Sequence, residues 1–186
     1  WGGRFGRVPG QLDAPARDGQ RPLRVGFLSA DFRYHPVGRM ASAVWQHLDR
    51  EGVTPIVYDN SSDETPTKQR YRGLVESWHN IAGQSDAEVV QLMRSDRLDV
   101  LLDFSGHTSG NRLGVLAQKP APVQATLFGY PNTTGLSAVD YRITDAVADP
   151  AGTESLYVER LYRLPRTAWV YGPPDISPEP GTLPSL

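Results

Sequence analysis

An acid and an imidazole lie four residues apart, Asp31 and His35, in the stretch Ser29-Ala30-Asp31-Phe32-Arg33-Tyr34-His35-Pro36-Val37-Gly38. An imidazole titrates near neutrality, so His35 suits general-base chemistry. Asp31 suits orienting that ring or taking up a proton. Each also has a plainer reading: His35 as a loop histidine bonded to a carbonyl, Asp31 as a cap of the following turn or helix. His107 follows Gly106, where the backbone can approach a ligand closely, or it is simply an exposed turn residue. Gly129-Tyr130-Pro131 offers backbone N–H groups and a ring face to a ligand, or forms a structural turn. Val37 and Phe128 read locally as packing residues, and His47 and His79 as structural. The four histidines show no H-E-x-x-H spacing, and the chain has no Walker-type loop and no G-x-S-x-G elbow.

Apolar strands and amphipathic helices must position these groups. Leu23–Leu28 reads as a strand running into the Asp31–Gly38 loop. Met40, Val44, Trp45 and Leu48 recur at helical spacing, which predicts a helix over 40–48. Thr54–Tyr58 reads as the next strand, with Pro55 at its start. Pro66 opens a helix to about Ser77, and Trp78–Ile81 reads as a short strand. Ser85 with Glu88 makes a capping box for a helix reaching Ser95. Further strands are expected at 99–104, 123–128, 141–144 and 161–164, and a helix at 112–118. This alternation implies an α/β fold, a Rossmann-like, mostly parallel sheet with helices on both faces. The loops at 31–38, 106–110 and 129–135 then share one edge and can line one cleft.

Composition narrows the functional classes. The 186 residues suffice for a sizeable core, and a net charge of -2 argues against nucleic-acid binding. No apolar run approaches a membrane span, and no signal peptide is visible. With no cysteine there is neither a disulfide framework nor a thiolate metal site, in keeping with a cytoplasmic setting. The chain begins at Trp1, and its 16 Pro and 18 Gly crowd both ends. We therefore expect an extended lead-in over 1–22, a folded domain over 23–172 and a Pro-rich linker over 173–186, within a longer protein.

The motifs occur in an order that resembles the O-linked N-acetylglucosamine transferase family, including bacterial and SPINDLY-like members. The resemblance rests on Leu23–Phe32 with His35-Pro36, then Gly106-His107-Thr108 with Asn111-Arg112-Leu113. Pro120–Ala125 follows, then Gly129-Tyr130-Pro131 with Thr133 and Gly135, and last Asp140-Tyr141 with Ile143-Thr144-Asp145. It implies that residues 23–172 are the amino-terminal, Rossmann-like catalytic lobe of a two-lobe, GT-B-type glycosyltransferase, with tetratricopeptide repeats upstream and a carboxyl-terminal lobe downstream. It implies inverting, metal-independent sugar transfer, without a cofactor, from UDP-N-acetylglucosamine to Ser or Thr of a protein or peptide acceptor. It also implies that His35 and Asp31 are catalytic and that Val37, His107, Phe128, Gly129, Tyr130, Pro131 and Thr133 lie at the donor. The isolated lobe is expected to be inactive. Three alternatives stay open: a related O-fucosyltransferase using GDP-fucose, a non-catalytic binding lobe, and a two-lobe transferase acting on a small acceptor.

Overall fold

The structure, a computed structural model, describes residues 21–172 and Gly181. The expected lead-in up to residue 20 and, apart from Gly181, the expected linker from Pro173 lie outside the described residues. The strands are β1 (Leu23–Ser29), β2 (Val53–Asp59), β3 (Ser77–Asn80), β4 (Val100–Asp103), β5 (Val123–Thr126), β6 (Tyr141–Asp145) and β7 (Arg160–Leu164). They form one seven-stranded sheet in the order β3-β2-β1-β4-β5-β6-β7. Every neighbouring pair is parallel. The helices are α1 (Pro36–Gln46), α2 (Pro66–Arg72), α3 (Asp86–Ser95) and α4 (Leu113–Ala117).

Side chains alternate across the strands and build a core on each face. On one face Val25, Phe27 and Val57 pack with Val37, Ala41 and Trp45 of α1 and Tyr71 of α2. On the other, Leu28, Ile56, Tyr58 and Leu101 pack with Val89, Val90 and Met93 of α3 and Leu113, Val115 and Leu116 of α4. Strands buried on both faces read as continuous apolar runs, which is why they were legible in the sequence. Trp45 is fully buried, with Phe27, Phe32, Tyr71 and Trp78 edge-on at 5.8, 5.1, 6.0 and 6.0 Å. Phe32 belongs to the Asp31–His35 loop, so this aromatic cluster roots the loop in the core.

Several boundaries differ from expectation for local reasons. Helix α1 starts four residues before Met40, because His35 caps it and Pro36 fits its first turn. Pro55 lies third in β2 rather than at its start. Its carbonyl accepts from Glu76 N–H (3.1 Å), so its missing N–H faces the side where β3 has not yet begun. Helix α2 stops at Arg72 with Gly73 as its C-cap, well before Ser77. The capping box forms as expected: Glu88 N–H donates to Ser85 Oγ, and Ser85 N–H donates to Glu88. Replacing Ser85 by Ala is expected to cost about 1 kcal/mol, read as a shift in the denaturant midpoint.

A strap runs back from β7 over the carboxyl edge of the sheet. Ala168 N–H donates to Asp145 at the end of β6 (2.9 Å). Trp169 leans on Phe128 with ring centroids 6.2 Å apart, and Val170 joins the core under α1. The N–H groups of Ala148, Ala168 and Val147 hold the Asp145 carboxyl below its usual range. Burial works against ionisation of Asp149. The Thr144 and Tyr157 hydroxyls and Arg142 outweigh it, so that carboxyl is lowered too. A depressed carboxyl pKa stabilises the fold above the unfolded value, and this contribution is lost as pH falls through the folded value. As pH falls below the ordinary aspartate range, about 4, the strap and the 145–157 loop are therefore expected to loosen before the sheet centre. Amide exchange of Ala148 and Ala168 against Leu28 and Leu101 reads this, and simultaneous loss at all four would refute it.

Candidate active site

The sheet order reverses between β1 and β4, and the chain leaving these strands turns to opposite faces, α1 to one and α4 to the other, the arrangement that opens a ligand crevice in parallel sheets. Ser29 Oγ, at the end of β1, lies 3.0 Å from Ser105 Oγ beyond β4. It also accepts the N–H of Asp31 (3.1 Å). The chain then turns tightly, with Arg33 N–H on Asp31 O and His35 N–H on Arg33 O. Asp31 is 7% exposed and pairs through Oδ1 with Arg33 (3.3 Å).

His35, not Asp31, caps α1. Its backbone is extended, and its Nδ1 accepts the Val37 N–H at 3.2 Å. A neutral imidazole accepting at Nδ1 carries its proton on Nε2, so Nε2–H is what it offers a substrate. The first turn of α1 holds no acidic residue, so no side chain of that turn offsets the partial positive charge of the helix start. Gly38 lets the loop lie flat on the helix: a Cβ there would stand 2.2 Å from Arg33 O. Val37, expected at the donor, buries its isopropyl group in the aromatic core and spends its N–H on His35.

The other two loops lock together beside this one. Asp103, 1% exposed at the end of β4, accepts from Ser105 N–H (3.1 Å), Gly106 N–H (2.8 Å) and the Thr126 hydroxyl (2.9 Å). Burial pushes its carboxyl up despite these donors. Gly106 has a φ of 55°, and a Cβ on it would meet Tyr130 Cβ at 2.7 Å. A Cβ on Gly110 would meet Ala30 at the same distance. His107 donates from Nε2 to Thr134 O (3.1 Å) and stands edge-on to Tyr130, ring centroids 5.2 Å apart.

Phe128 adopts a left-handed backbone, φ 62°, which costs a non-glycine residue about 1–2 kcal/mol. It is held there by burial against Phe104, with centroids 4.9 Å apart, and by Trp169. Gly129 presses on the neighbouring loop so closely that a Cβ would lie 2.3 Å from Phe104 O. Tyr130, Pro131 and Asn132 then face outward, with Tyr130 39% exposed. Thr133 is half-buried and bonded to Glu159 (2.7 Å).

The 31–38, 106–110 and 129–135 loops thus meet on one rim, as the alternation of strands and helices implied. Sequence reasoning missed Asp103, Arg142 and Glu159. Asp103 is a carboxylate at the end of the apolar strand β4, and that position was the available signal; Arg142 and Glu159 lie in or beside the mixed-polarity strands β6 and β7, where no local signal marks them.

The sequence pattern that defines glycosyl transferase family 41 matches residues 10–173. The chain belongs to glycosyl transferase family 41. It is 40% identical over 189 residues to the probable UDP-N-acetylglucosamine–peptide N-acetylglucosaminyltransferase SPINDLY of Arabidopsis thaliana, covering 98% of this chain and 20% of that protein. It is 31% identical to the UDP-N-acetylglucosamine–peptide N-acetylglucosaminyltransferase of Caenorhabditis elegans, over 83% of this chain and 14% of that one. Among solved structures it resembles a K341M mutant of the Thermobaculum terrenum O-GlcNAc transferase, with a TM-score of 0.85 and 36% identity. That match covers 91% of this chain and 33% of the solved one. The family 41 chain therefore spans about a fifth of the SPINDLY relative's length. Among its described residues no helix is long and apolar enough to cross a membrane.

Proposed function

We propose that this chain forms the sugar-facing lobe of an inverting protein O-glycosyltransferase. The whole protein would move N-acetylglucosamine from UDP-N-acetylglucosamine to Ser or Thr hydroxyls of a protein or peptide in the cytoplasm. One observation carries the reading: in a family 41 chain, the His35, His107 and Phe128–Thr133 segments pack into a single rim at the sheet's switch point. In the reaction the acceptor oxygen bonds to the anomeric carbon as the bond from that carbon to the diphosphate breaks. The nucleoside diphosphate leaves, and the hydroxyl proton passes to a base.

His35 offers Nε2–H to the donor. To serve as base at Nε2 it would have to shift its proton to Nδ1 and surrender Val37. Asp31 can accept a proton without that rearrangement. The uncompensated start of α1 favours the developing negative charge. The proposal leaves the nucleotide contacts to a carboxyl-terminal lobe and acceptor recruitment to helical repeats. No cofactor or metal enters it.

The test is transfer by the full-length parent protein onto Ser/Thr peptides, with UDP-N-acetylglucosamine and GDP-fucose run side by side. Turnover of the uridine donor is expected. Turnover of GDP-fucose alone would overturn the donor, and no transfer from either would overturn the reading.

A further inference from the structure

We infer that Glu159, supported by Arg142, is a positioning residue that sets the shape of the 128–135 loop and through it the affinity for the donor sugar. The sugar part of this inference rests on the proposed function. Glu159 immediately precedes β7 and is 4% exposed. Its carboxylate accepts from the Thr133 hydroxyl (2.7 Å), the Thr134 N–H (2.7 Å) and the Thr134 hydroxyl. Two carboxylate oxygens therefore hold the far end of the loop, where Thr133 Oγ1 in turn accepts the Gly135 N–H (3.0 Å).

Arg142 holds the middle. It is buried on β6 and donates through Nη1 to the carbonyls of Tyr130 (3.2 Å) and Asn132 (3.4 Å). Its own charge is met by Asp149, Nε to Oδ2 at 3.2 Å. The near end is fixed by Gly129 against Phe104 O. His107 bonds Thr134 O from the other side. The exposed residues Tyr130–Asn132 are thus held at both ends of the segment and through the carbonyls of Tyr130 and Asn132. A carboxylate suits the far anchor because all three groups facing it donate. A glutamine that keeps its oxygen on Thr134 turns its amide N–H toward Thr133 Oγ1, which already accepts the N–H groups of Gly135 (3.0 Å) and Val158 (3.3 Å), and the Thr133 hydroxyl proton loses its acceptor.

The test uses the full-length protein. Glu159→Gln is expected to raise the donor KM at least about tenfold, the effect of losing one buried charge-assisted hydrogen bond, with kcat within about threefold. Thr133→Ala, a milder change, should raise KM less. Combined with Glu159→Gln it should add little, because both act on one contact. Val90→Ala, in the opposite core, supplies a comparable stability loss and should leave KM unchanged. Amide exchange at Thr134 and Gly135 gives a readout that needs no donor, and Glu159→Gln should accelerate it at least about tenfold with β4 and β5 unaffected. Unchanged KM in Glu159→Gln, or a KM rise in Val90→Ala equal to it, overturns the inference. Unchanged exchange at Thr134 overturns the clamp itself. A wild-type protein that binds no nucleotide sugar sinks the proposed function instead, while the exchange result still decides whether Glu159 shapes the loop.

Discussion

His35→Asn is expected to abolish sugar transfer by the parent protein, at least about 100-fold in kcat/KM, while leaving the lobe folded. The effect follows from the double role of this side chain. Its Nδ1 caps α1 by accepting the Val37 N–H, and its Nε2–H is left for the donor. Asparagine is among the best N-caps, so the helix start survives and stability should change by less than about 0.5 kcal/mol. The imidazole is gone, and a lost donor in a preorganised polar site costs about two to three orders of magnitude. His35→Ala removes both functions and should be destabilised by about 1 kcal/mol as well. Thermal melts together with initial rates separate the two variants. Transfer by the His35→Asn variant within about threefold of wild type would exclude His35 from the chemistry.

Gly129→Ala is expected to rank with Gly38→Ala, whose Cβ would stand 2.2 Å from Arg33 O, as the most damaging single methyl added to this chain's site. The new Cβ would lie 2.3 Å from Phe104 O and 2.8 Å from both Ser105 Cα and Ser105 O. All three are backbone atoms, so no rotamer change relieves the contact, and the two loops must separate. Overpacking costs about 1–3 kcal/mol where side chains can yield, and here the cost should reach or exceed the upper end. Phe128 would lose the contacts that keep its left-handed backbone in place. Donor binding, measured by calorimetry on the full-length protein, should vanish. Gly83→Ala is the control. Its φ is 81° but nothing lies within 4 Å of the added methyl. It should cost only about 1–2 kcal/mol of backbone strain and leave donor affinity intact. Equal effects from the two substitutions would mean that close packing of the loops is not what Gly129 provides.

Much of this architecture was readable from residue order. Leu23–Leu28 and 99–104 are apolar runs that suit only strands covered on both sides, and they proved to be neighbours at the sheet centre. Ser85 and Glu88 located the start of α3 because a capping box is a purely local device. The start of α1 was hidden because Pro-Val-Gly reads as a turn and histidine is an unusual cap. The meeting of the three loops followed from strand direction alone. What holds the loops did not. Glu159 lies 25 and 26 residues from Thr134 and Thr133, and Arg142 lies 12 and 10 from Tyr130 and Asn132. Contacts at such separations exist only once β6 and β7 have paired. Asp103 likewise looked like one more strand residue until its three donors converged on it.

The glycines at 106, 110 and 129 bring backbone against its neighbours at distances that admit no additional carbon. This divides the rim into a frozen chassis and an interchangeable facing. Mutation can explore new ligand preferences only through groups that point away from those seams, such as the exposed Pro131 and Asn132 and the outer part of the Tyr130 ring. Evolution, or an engineer, wishing to retune this lobe has a short palette of outward positions and almost no licence beneath them.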